Sequence, residues 1–437
     1  MKKILLFGAG KSATCLIDYL IKELAKNNWQ LVVCDADLNL AKSKTGSAEK
    51  AKAVSINVED DTERRKLVQS ADIVISMLPP TLHFLIAKDC VEFGKSLLTA
   101  SYVDDNLKLL EKEIANKKLL FLCEMGLDPG IDHMSAMKLI NTIKSKGGVI
   151  NSFVSHCGGL IAPESDNNPW HYKITWNPRN IVLAGKDGAE YLHENKIVKI
   201  PYKSVFKNCP PVNIIDNYPL CWYPNRDSMH YIDLYGLHGV ETFIRTTLRH
   251  PSFCIGWNNI VSMGLTAIAD YEQIKKCKTF VDWVNVKTPE FVEYKKDFDS
   301  NKNVFDRQIN FLGLENNDML PENFKSSADI LQYMLEKKLL MSAEDKDMIV
   351  MLHELGYEVR DKKQKVRSCL IVKGEDNLKT AMARTVGLPL GIATKLILQG
   401  KIKVSGLHIP IIPEIYELVL AELEMHGIKF NEETSSQ

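Results

Sequence analysis

The sequence lacks an excess of either charge, because 55 Lys and Arg balance 55 Asp and Glu in 437 residues. Nucleic-acid-binding proteins usually carry a basic surplus, so we expect no nucleic-acid partner. No apolar run reaches the roughly 18 residues of a membrane-spanning helix, so we expect no membrane segment. The ten cysteines form no Cys-x-x-Cys pair and show no zinc-ligand spacing. They predict reduced thiols in a cytoplasmic protein without a metal site.

The composition that is present, 45% apolar and 25% charged, is typical of a globular protein with two or three domains. Residues 1–126 alternate short apolar strands with helical periods, which indicates a parallel sheet covered by helices on both faces. Mixed strand and helix patterns follow, and residues 240–355 are mostly helical in pattern. We therefore predict an α/β fold with a doubly wound N-terminal domain, a second α/β domain and an inserted helical domain.

The strongest motif is Gly8-Ala9-Gly10-Lys11-Ser12-Ala13, directly after a predicted strand and directly before a predicted helix. In such a GxGxxA motif the first glycine permits a tight turn and the second lets a pyrophosphate approach the backbone, while Ala13 allows close helix–strand packing. The helix N-terminus favours the phosphates through its free N–H groups and its dipole. The motif predicts a dinucleotide site, and the alternative is a glycine turn in another α/β fold.

Asp35 ends the second predicted strand, where a carboxylate binds the ribose 2′-hydroxyl of NAD. The 2′-phosphate of NADP would meet a like charge there, and Lys42, the next cation, lies too far along to be a clear phosphate ligand. We therefore expect NAD, with NADP as the alternative. Asp35 has a competing interpretation as a helix N-cap, and Asp37 competes for either role.

Polar residues also follow the later strands. Tyr102 and Asp128 come after the fifth and sixth strands, at the edge where such sheets bind ligands. The alternative for Tyr102 is a phenol packed at a domain seam, and for Asp128 an Asx-turn or N-cap. His133, at a helix start, is more often a cap or a packed residue.

Cys157 is predicted to end a strand before Gly158-Gly159, where a thiol would face a ligand, although buried structural cysteine is commoner. The stretches Asn168–Trp176 and Tyr223–Ser228 are polar and aromatic, and we interpret them as lying outside the core. Arg245 and Arg249 share a face if their stretch is helical, and arginine binds carboxylates bidentately. The alternative for each arginine is a surface ion pair.

Four segments together resemble the glutamate-forming saccharopine dehydrogenase family over nearly the whole chain: Gly126–His133, Cys157–Leu160 with Ala162-Pro163-Glu164, Asn168–Trp176 and Tyr223–Ser228. The resemblance implies a Rossmann domain at residues 1–128 and about 392–437. It implies an α/β substrate domain at residues 129–238 and about 356–391, with a helical insertion at residues 239–355. We also expect a small-molecule substrate, no association with a membrane, and a homo-oligomer, most simply a dimer.

The family's reaction interconverts saccharopine with L-glutamate and 2-aminoadipate 6-semialdehyde in lysine metabolism, using a nicotinamide dinucleotide. The resemblance places cofactor contacts at Gly8, Gly10, Lys11, Ser12, Ala13, Asp35, Ala36, Asn57, Val58, Leu78, Ala100, Ser101, Leu127 and Asp128. It places substrate contacts at Ser101, Tyr102, Asp128, Lys173, Arg226, Arg245, Thr246, Thr247 and Arg249, and catalytic roles at Asp128, Tyr102 and Cys157. Fungal family members have Arg where this chain has Asp35, which again favours NAD and the oxidative direction.

Two other functions stay open. One is a related dehydrogenase acting on another secondary amine acid, such as carboxynorspermidine, whose fewer carboxylates would not need Arg226, Arg245 and Arg249 together. The other is a redox-silent dinucleotide-binding sensor, which would have lost the polar groups at the reaction centre.

Overall fold

The computed structural model describes residues 1–288 and 302–436, which divide by packing into two compact units. Unit 1 comprises Met1–Gly148 and Leu378–Asn431, and unit 2 comprises Val149–Asn377 with the C-terminal residues from Glu432. The boundaries therefore differ from those expected at 128/129 and about 391/392. Residues 289–301 of the expected helical insertion lie outside the described residues.

The described chain contains both strands and α-helices. The strands are β1 (Lys2–Phe7), β2 (Trp29–Asp35), β3 (Ala51–Ser55), β4 (Ile73–Ser76), β5 (Ser96–Thr99), β6 (Leu120–Leu122), β7 (Val149–Ile161), β8 (Ala189–His193), β9 (Lys196–Ile200), β10 (Pro211–Ile215), β11 (Tyr218–Pro224), β12 (Arg226–Asp227), β13 (Thr242–Arg249), β14 (Asp347–Val359), β15 (Lys362–Lys373), β16 (Gly406–His408) and β17 (Asn431–Ser436). The α-helices are α1 (Thr14–Lys26), α2 (Leu38–Thr45), α3 (Asp61–Gln69), α4 (Pro80–Phe93), α5 (Asp105–Leu109), α6 (Glu111–Asn116), α7 (Ile131–Ser145), α8 (Pro178–Val182), α9 (His230–Leu234), α10 (Pro251–Ser262), α11 (Tyr271–Ile274), α12 (Phe280–Lys287), α13 (Lys302–Leu312), α14 (Ser327–Lys338), α15 (Ala381–Leu398) and α16 (Pro413–Met425).

The sheet of unit 1 has the strand order β3-β2-β1-β4-β5-β6-β16, and neighbouring strands pair in parallel. Residues Ile4–Phe7 of the central strand are at most 1% exposed, as expected for a sheet covered on both faces. The order reverses at β1, and such sheets bind ligands at the carboxyl ends of strands beside this switch point. The predicted doubly wound fold is confirmed.

Helix α15 belongs to unit 1, so the predicted boundary near residue 391 falls inside a packed helix. Helix α15 continues through Gly387-Leu388-Pro389, although glycine and proline commonly interrupt helices. A Cβ atom on Gly387 would lie 2.8 Å from the Leu16 nitrogen, so this glycine lets α15 approach α1 closely. Among the described helices, α15 is the one long and apolar enough to cross a membrane, with a mean hydropathy of 1.3, yet 78% of its residues are buried. It is the packed core helix of unit 1.

The sheet of unit 2 is mixed and has the order β10-β11-β13-β7-β14-β15-β17, with β8, β9 and β12 beside it. Strand β13 pairs in parallel with β7 and antiparallel with β11, and β14 pairs antiparallel with β7 and β15. The expected helical region 239–355 therefore has a sheet strand at each end. Asn177 caps helix α8, because its side chain accepts a hydrogen bond from the Arg179 N–H.

Helices α10 to α14 of unit 2 pack around an aromatic core. Trp170, Trp257 and Trp283 are fully buried in it, and Tyr172 is 2% exposed. The stretch Asn168–Trp176, interpreted above as lying outside the core, therefore supplies two of its largest side chains.

Candidate active site

The turn after β1 fits a dinucleotide pyrophosphate. Gly8 has φ +97°, and a Cβ atom there would lie 2.7 Å from the carbonyl oxygen of Met77, so only glycine fits. A Cβ atom on Gly10 would meet nothing within 4 Å, so the space beside its backbone is open. No side chain caps the helical turn Lys11–Ala13 that follows. Its N–H groups therefore suit an anion.

Asp35 is held against this glycine turn. Its Oδ2 accepts a hydrogen bond from the Ala9 N–H at 2.7 Å, and its Oδ1 accepts one from the Asp37 N–H at 3.0 Å. The N-cap role belongs instead to Asp37, whose Oδ1 accepts from the N–H groups of Asn39 and Leu40. The competing interpretation of Asp35 as a helix cap is therefore wrong.

A cation that sequence reasoning missed lies beside the same turn. Lys44 Nζ donates to the Gly10 carbonyl oxygen at 2.6 Å and to Thr14 Oγ1 at 2.7 Å, and burial lowers the Lys44 pKa to about 8. Lys42, which the sequence analysis judged too distant to be a clear phosphate ligand, is exposed. The only sequence signal for Lys44 was its place in the helix after Asp35. Its long side chain reaches from that helix to the glycine turn.

The remaining contacts expected toward adenosine and the middle of the cofactor follow strands of the same sheet. Ala36 and Asn57 are exposed after β2 and β3, Val58 is buried, and Leu78 is half-buried after β4. All four follow the carboxyl ends of strands of this sheet, and their contacts with a cofactor stay a prediction.

A buried histidine links two of these strand ends. His83 Nδ1 lies 2.7 Å from Ser76 Oγ, and His83 Nε2 lies 2.7 Å from Ser101 Oγ. Burial lowers the His83 pKa to about 4, so the ring is neutral at neutral pH. A neutral imidazole donates from one nitrogen and accepts at the other. His83 thus orients the Ser101 hydroxyl. No sequence pattern predicted this role of His83.

The loops after β5 and β6 are hydrogen-bonded to each other. The Glu124 N–H donates to the Ser101 carbonyl oxygen at 3.0 Å, and a Cβ atom on Gly126 would lie 3.2 Å from Ala100 Cβ. The loop after β6 therefore packs against Ala100 and Ser101 of the loop after β5. Tyr102, in the same loop, is 37% exposed.

Glu124 is a third residue that sequence reasoning missed. Its Oε1 accepts from the Val103 N–H at 3.2 Å, and its Oε2 lies 2.8 Å from Nε2 of the fully buried His133. His133 is therefore a packed residue, which is one of the two commoner roles of a histidine at a helix start. Together the pair fixes the loop that carries Tyr102.

Asp128 lies in a closed turn ahead of α7. The Gly126 N–H donates to the Pro129 carbonyl oxygen, and the Asp132 N–H donates to the Leu127 carbonyl oxygen, both at 3.0 Å. Gly130 holds the N-cap position, and Asp132 Oδ1 accepts from its N–H at 2.6 Å. The alternative of Asp128 as the N-cap is therefore wrong, and its half-buried side chain lies at the carboxyl edge.

The second group of candidates lies in unit 2, on one face of its sheet. Cys157 pairs in register with Thr247, and Arg249 pairs with Cys221, so these side chains share a face. Cys157 lies inside β7, so its expected place at a strand end is wrong. The stretch Arg245–Arg249 is a strand and not a helix, yet the period of two still puts both arginines on one face.

Arg249 is the most unusual cation of this face. It is 6% exposed, and its Nη1 donates to the carbonyl oxygens of Leu248 at 2.8 Å and Gly159 at 3.4 Å. Its Nε has no hydrogen-bond partner within residues 1–288 and 302–436. Its guanidinium also lies 5.3 Å from the ring centroid of Tyr172. A buried guanidinium with an unused N–H is suited to a carboxylate ligand.

Two other candidates have their side chains engaged elsewhere. Lys173 Nζ forms a buried ion pair with Asp345 at 2.6 Å. Thr246 lies on the opposite face of β13, and its Oγ1 is 2.6 Å from His156 Nδ1. Each contact gives the residue a structural role within unit 2.

The last two candidates differ in burial. Arg245 is 5% exposed, and its guanidinium lies 4.0 Å from the ring centroid of Tyr231. Arg226 is exposed, at a positive φ of 49°. The structure thus brings Cys157, Arg245, Thr247 and Arg249 to one face and leaves Arg226 at the surface.

The doubly wound sheet, the glycine turn and the uncapped helical turn define an oxidoreductase-type domain that binds a dinucleotide. Family models match both parts of the chain: the Saccharopine dehydrogenase NADP binding domain over residues 4–122, and the Saccharopine dehydrogenase C-terminal domain over residues 126–428. The chain therefore belongs to the saccharopine dehydrogenase family, whose members are oxidoreductases acting on CH–NH donors. These matches support a nicotinamide dinucleotide as the cofactor.

Two curated relatives cover nearly all of the chain. It is 33% identical over 448 residues to the alpha-aminoadipic semialdehyde synthase, mitochondrial, of Mus musculus, covering 99% of this chain and 48% of the mouse protein. It is also 33% identical over 448 residues to the saccharopine dehydrogenase [NADP(+), L-glutamate-forming] of Saccharomyces cerevisiae, covering 99% of each. The chain thus spans about half the mouse relative and the full yeast relative.

Solved structures agree with the fold. The apo saccharopine dehydrogenase (L-Glu forming) of Saccharomyces cerevisiae has a TM-score of 0.91 and 31% identity, with all of both chains covered. The homospermidine synthase of Legionella pneumophila has a TM-score of 0.58 and 10% identity, covering 99% of this chain and 91% of that one, which shows a shared fold.

Proposed function

We propose that this chain is an L-glutamate-forming saccharopine dehydrogenase. The observation that carries the proposal is Arg249, a buried cation with an unused Nε on the face that also holds Cys157, Thr247 and Arg245. Saccharopine has three carboxylates, and a carboxylate would complete the hydrogen bonding of Arg249. The family match supplies the reaction class, and the buried cation supports an acidic substrate within that class.

The proposed oxidation removes a hydride and a proton across the bond between the secondary amine nitrogen and the lysine-derived carbon. The nicotinamide supplies the hydride acceptor. Water then adds to the resulting imine, and the carbinolamine separates into L-glutamate and 2-aminoadipate 6-semialdehyde. Proton transfers by a positioned group accelerate such steps by about 10²–10⁴-fold. We assign them to Asp128 and Tyr102, with Cys157 as an orienting group.

Within unit 2 we assign the substrate contacts to Arg249, Arg245 and Thr247. Ser101 of unit 1 stays a candidate contact that rests on the family resemblance. Lys173 and Thr246 have partners of their own, so we now give them structural roles. Arg226 stays a candidate because its exposed side chain is free to reach a ligand.

Two observations disagree about which nucleotide the protein prefers. The names of the family model and of the yeast relative favour NADP. Asp35 favours NAD, because its carboxylate beside the glycine turn would repel a 2′-phosphate. We propose NAD on this ground, with oxidation of saccharopine as the cellular direction.

The first experiment is an absorbance assay of the purified protein with L-saccharopine, run in parallel with NAD and with NADP. Faster reduction of NAD supports the substrate and the role of Asp35 together. Faster reduction of NADP keeps the substrate and refutes the role of Asp35. No reduction of either nucleotide contradicts the saccharopine assignment, and carboxynorspermidine is then the next substrate to assay.

A dinucleotide-binding sensor is the alternative outside catalysis. It would bind the nucleotide and turn over neither amine acid. Homodimer formation and a cytoplasmic location stay predictions, which light scattering and fractionation of cells would test.

A further inference from the structure

Three thiols converge inside unit 2, although they are far apart in the sequence. The Sγ atoms of Cys209, Cys221 and Cys254 all lie within 4.8 Å of one another, and those of Cys221 and Cys254 are 3.5 Å apart. Cys221 belongs to β11, Cys254 to the first turn of α10, and Cys209 to the loop before β10. Tertiary packing alone assembles the group, which is why the cysteine spacings did not reveal it.

The surroundings of these thiols are apolar. Cys221 is 2% exposed, Cys254 is 3% exposed, and Cys209 is half-buried against the same core. The ring of Tyr223 belongs to that core, and Cys209 Sγ lies 3.6 Å from the Phe206 carbonyl oxygen. Such an environment limits the access of solvent to the three sulfurs and to any ion bound by them.

We propose that Cys209, Cys221 and Cys254 bind one thiophilic metal ion, Zn²⁺ or Cu⁺, through three sulfur atoms. Zinc–sulfur bonds of about 2.3 Å place sulfurs that share an ion roughly 4 Å apart. The observed separations, from 3.5 Å up to at most 4.8 Å, include that value. Soft sulfur ligands select Cu⁺ and Zn²⁺ over harder ions.

The number and type of ligands distinguish between Zn²⁺ and Cu⁺ as the bound ion. Among the described residues, no histidine or carboxylate joins the three sulfurs. Structural zinc sites almost always have four ligands, so Zn²⁺ would need an additional ligand here. A soft monovalent ion bound by sulfur alone fits the three-thiol set as it stands, which favours Cu⁺.

The local charge also suits thiolates. Arg249 pairs in register with Cys221 across β13 and β11, so a guanidinium adjoins the cluster. A cation beside a cysteine favours the thiolate form that binds a metal.

The test measures metal binding, so it does not depend on the proposed enzyme activity. The full chain is reduced, freed of metal, and titrated separately with Zn²⁺ and with Cu⁺ against a competing chelator. We expect one ion per chain, and at least about 100-fold weaker binding in Cys221→Ser and in Cys254→Ser, since outer-shell changes alone cost about 10–100-fold. Cys277→Ser and Cys369→Ser remove other cysteines of unit 2 and should bind as the unsubstituted protein does.

A second measurement needs no substitution. X-ray absorption of the loaded protein should show three sulfur neighbours of the ion. Tighter binding of Cu⁺ with sulfur-only ligation identifies a copper site, and tighter binding of Zn²⁺ with an added light-atom ligand identifies a zinc site. Equal affinities in Cys221→Ser and Cys277→Ser would overturn the proposal, as would a reduced protein that binds neither ion.

Discussion

We expect discrimination between the two nicotinamide dinucleotides to depend on Asp35. Its carboxylate accepts from the Ala9 N–H, and an amide oxygen preserves that contact without the charge. Asp35→Asn should therefore raise the ratio of kcat/KM with NADP to kcat/KM with NAD by about tenfold or more. Asp37→Asn is the matched control, because that carboxylate caps α2, and the ratio should not change. A similar ratio in both variants would contradict the role of Asp35.

Substitutions of Asp128 and Cys157 test our proposal that the first transfers a proton and the second orients the substrate. The carboxyl of Asp128 lies in the loop after β6, whereas the thiol of Cys157 lies inside β7 and is 7% exposed. Asp128→Ala should lower kcat/KM for saccharopine more than Cys157→Ser does, because proton transfer contributes about 10²–10⁴-fold. Steady-state kinetics measure both values, and the reverse order would refute the assignment.

His83 should make the stability of unit 1 depend on pH. Burial lowers its pKa from 6.5 to about 4, so the unfolded chain binds the proton first. Stability is then complete above pH 6.5 and is lost as the pH falls toward 4. At about 1.4 kcal/mol per pKa unit, the shift amounts to roughly 3 kcal/mol.

Glutamine at position 83 keeps an acceptor and a donor without titrating. His83→Gln should therefore show a smaller loss of unfolding free energy between pH 6.5 and 4 in denaturant titrations. His250 has a pKa lowered to about 4, chiefly by burial, and contributes equally in both proteins. Identical pH profiles for the two proteins would show that His83 is not the titrating group.

At the scale of elements, the close contact between α15 and α1 depends on two glycines of α15, Gly387 and Gly391. Alanine ordinarily stabilises a helix by about 1 kcal/mol relative to glycine. A Cβ atom on Gly387 would instead lie 2.8 Å from the Leu16 backbone nitrogen, whereas one on Gly391 would lie 2.6 Å from the Tyr19 ring. A ring turns more easily than a backbone moves. Gly387→Ala should therefore lower the free energy of unfolding by about 1–3 kcal/mol, and by more than Gly391→Ala.

Sequence patterns predicted those elements whose signals are local. The turn at Gly8 and Gly10 needs glycine for reasons of backbone geometry. The strands of unit 1 are uninterrupted apolar runs, and such runs predict that both faces of the sheet are buried. Strand β13 was misread because Arg245 and Arg249 are spaced to share a face in a helix as well as in a strand. Only its pairing with β7 and β11 selects the strand.

Other features depend on tertiary contacts and have no local signal. Lys44 reaches the glycine turn from a neighbouring helix, and His83 bridges two strand ends. The thiols of Cys209, Cys221 and Cys254 meet only after β11 and α10 have packed. The candidate site was thus predictable at its glycine turn and at Asp35, but not in the residues that orient them.

At the scale of the whole molecule, each unit carries one part of the proposed reaction. The dinucleotide turn belongs entirely to unit 1, and Arg249 belongs to unit 2. Arg249→Gln should therefore leave the nucleotide dissociation constant unchanged. It should lower kcat/KM for saccharopine by about 100-fold or more, because hydrogen bonds to charged groups contribute about 1.5–3 kcal/mol each.

Lys173 provides the contrast within unit 2, because its ammonium already pairs with Asp345. Lys173→Met should lower the free energy of unfolding by about 3–5 kcal/mol, since it leaves a buried carboxylate unpaired. The folded fraction should keep a KM for saccharopine close to that of the unsubstituted protein. Nucleotide binding by fluorescence, unfolding by denaturant and steady-state kinetics on both variants measure the three quantities. If Arg249→Gln changed only stability while Lys173→Met raised KM, then Lys173 would be the substrate ligand and the resemblance would have placed it correctly.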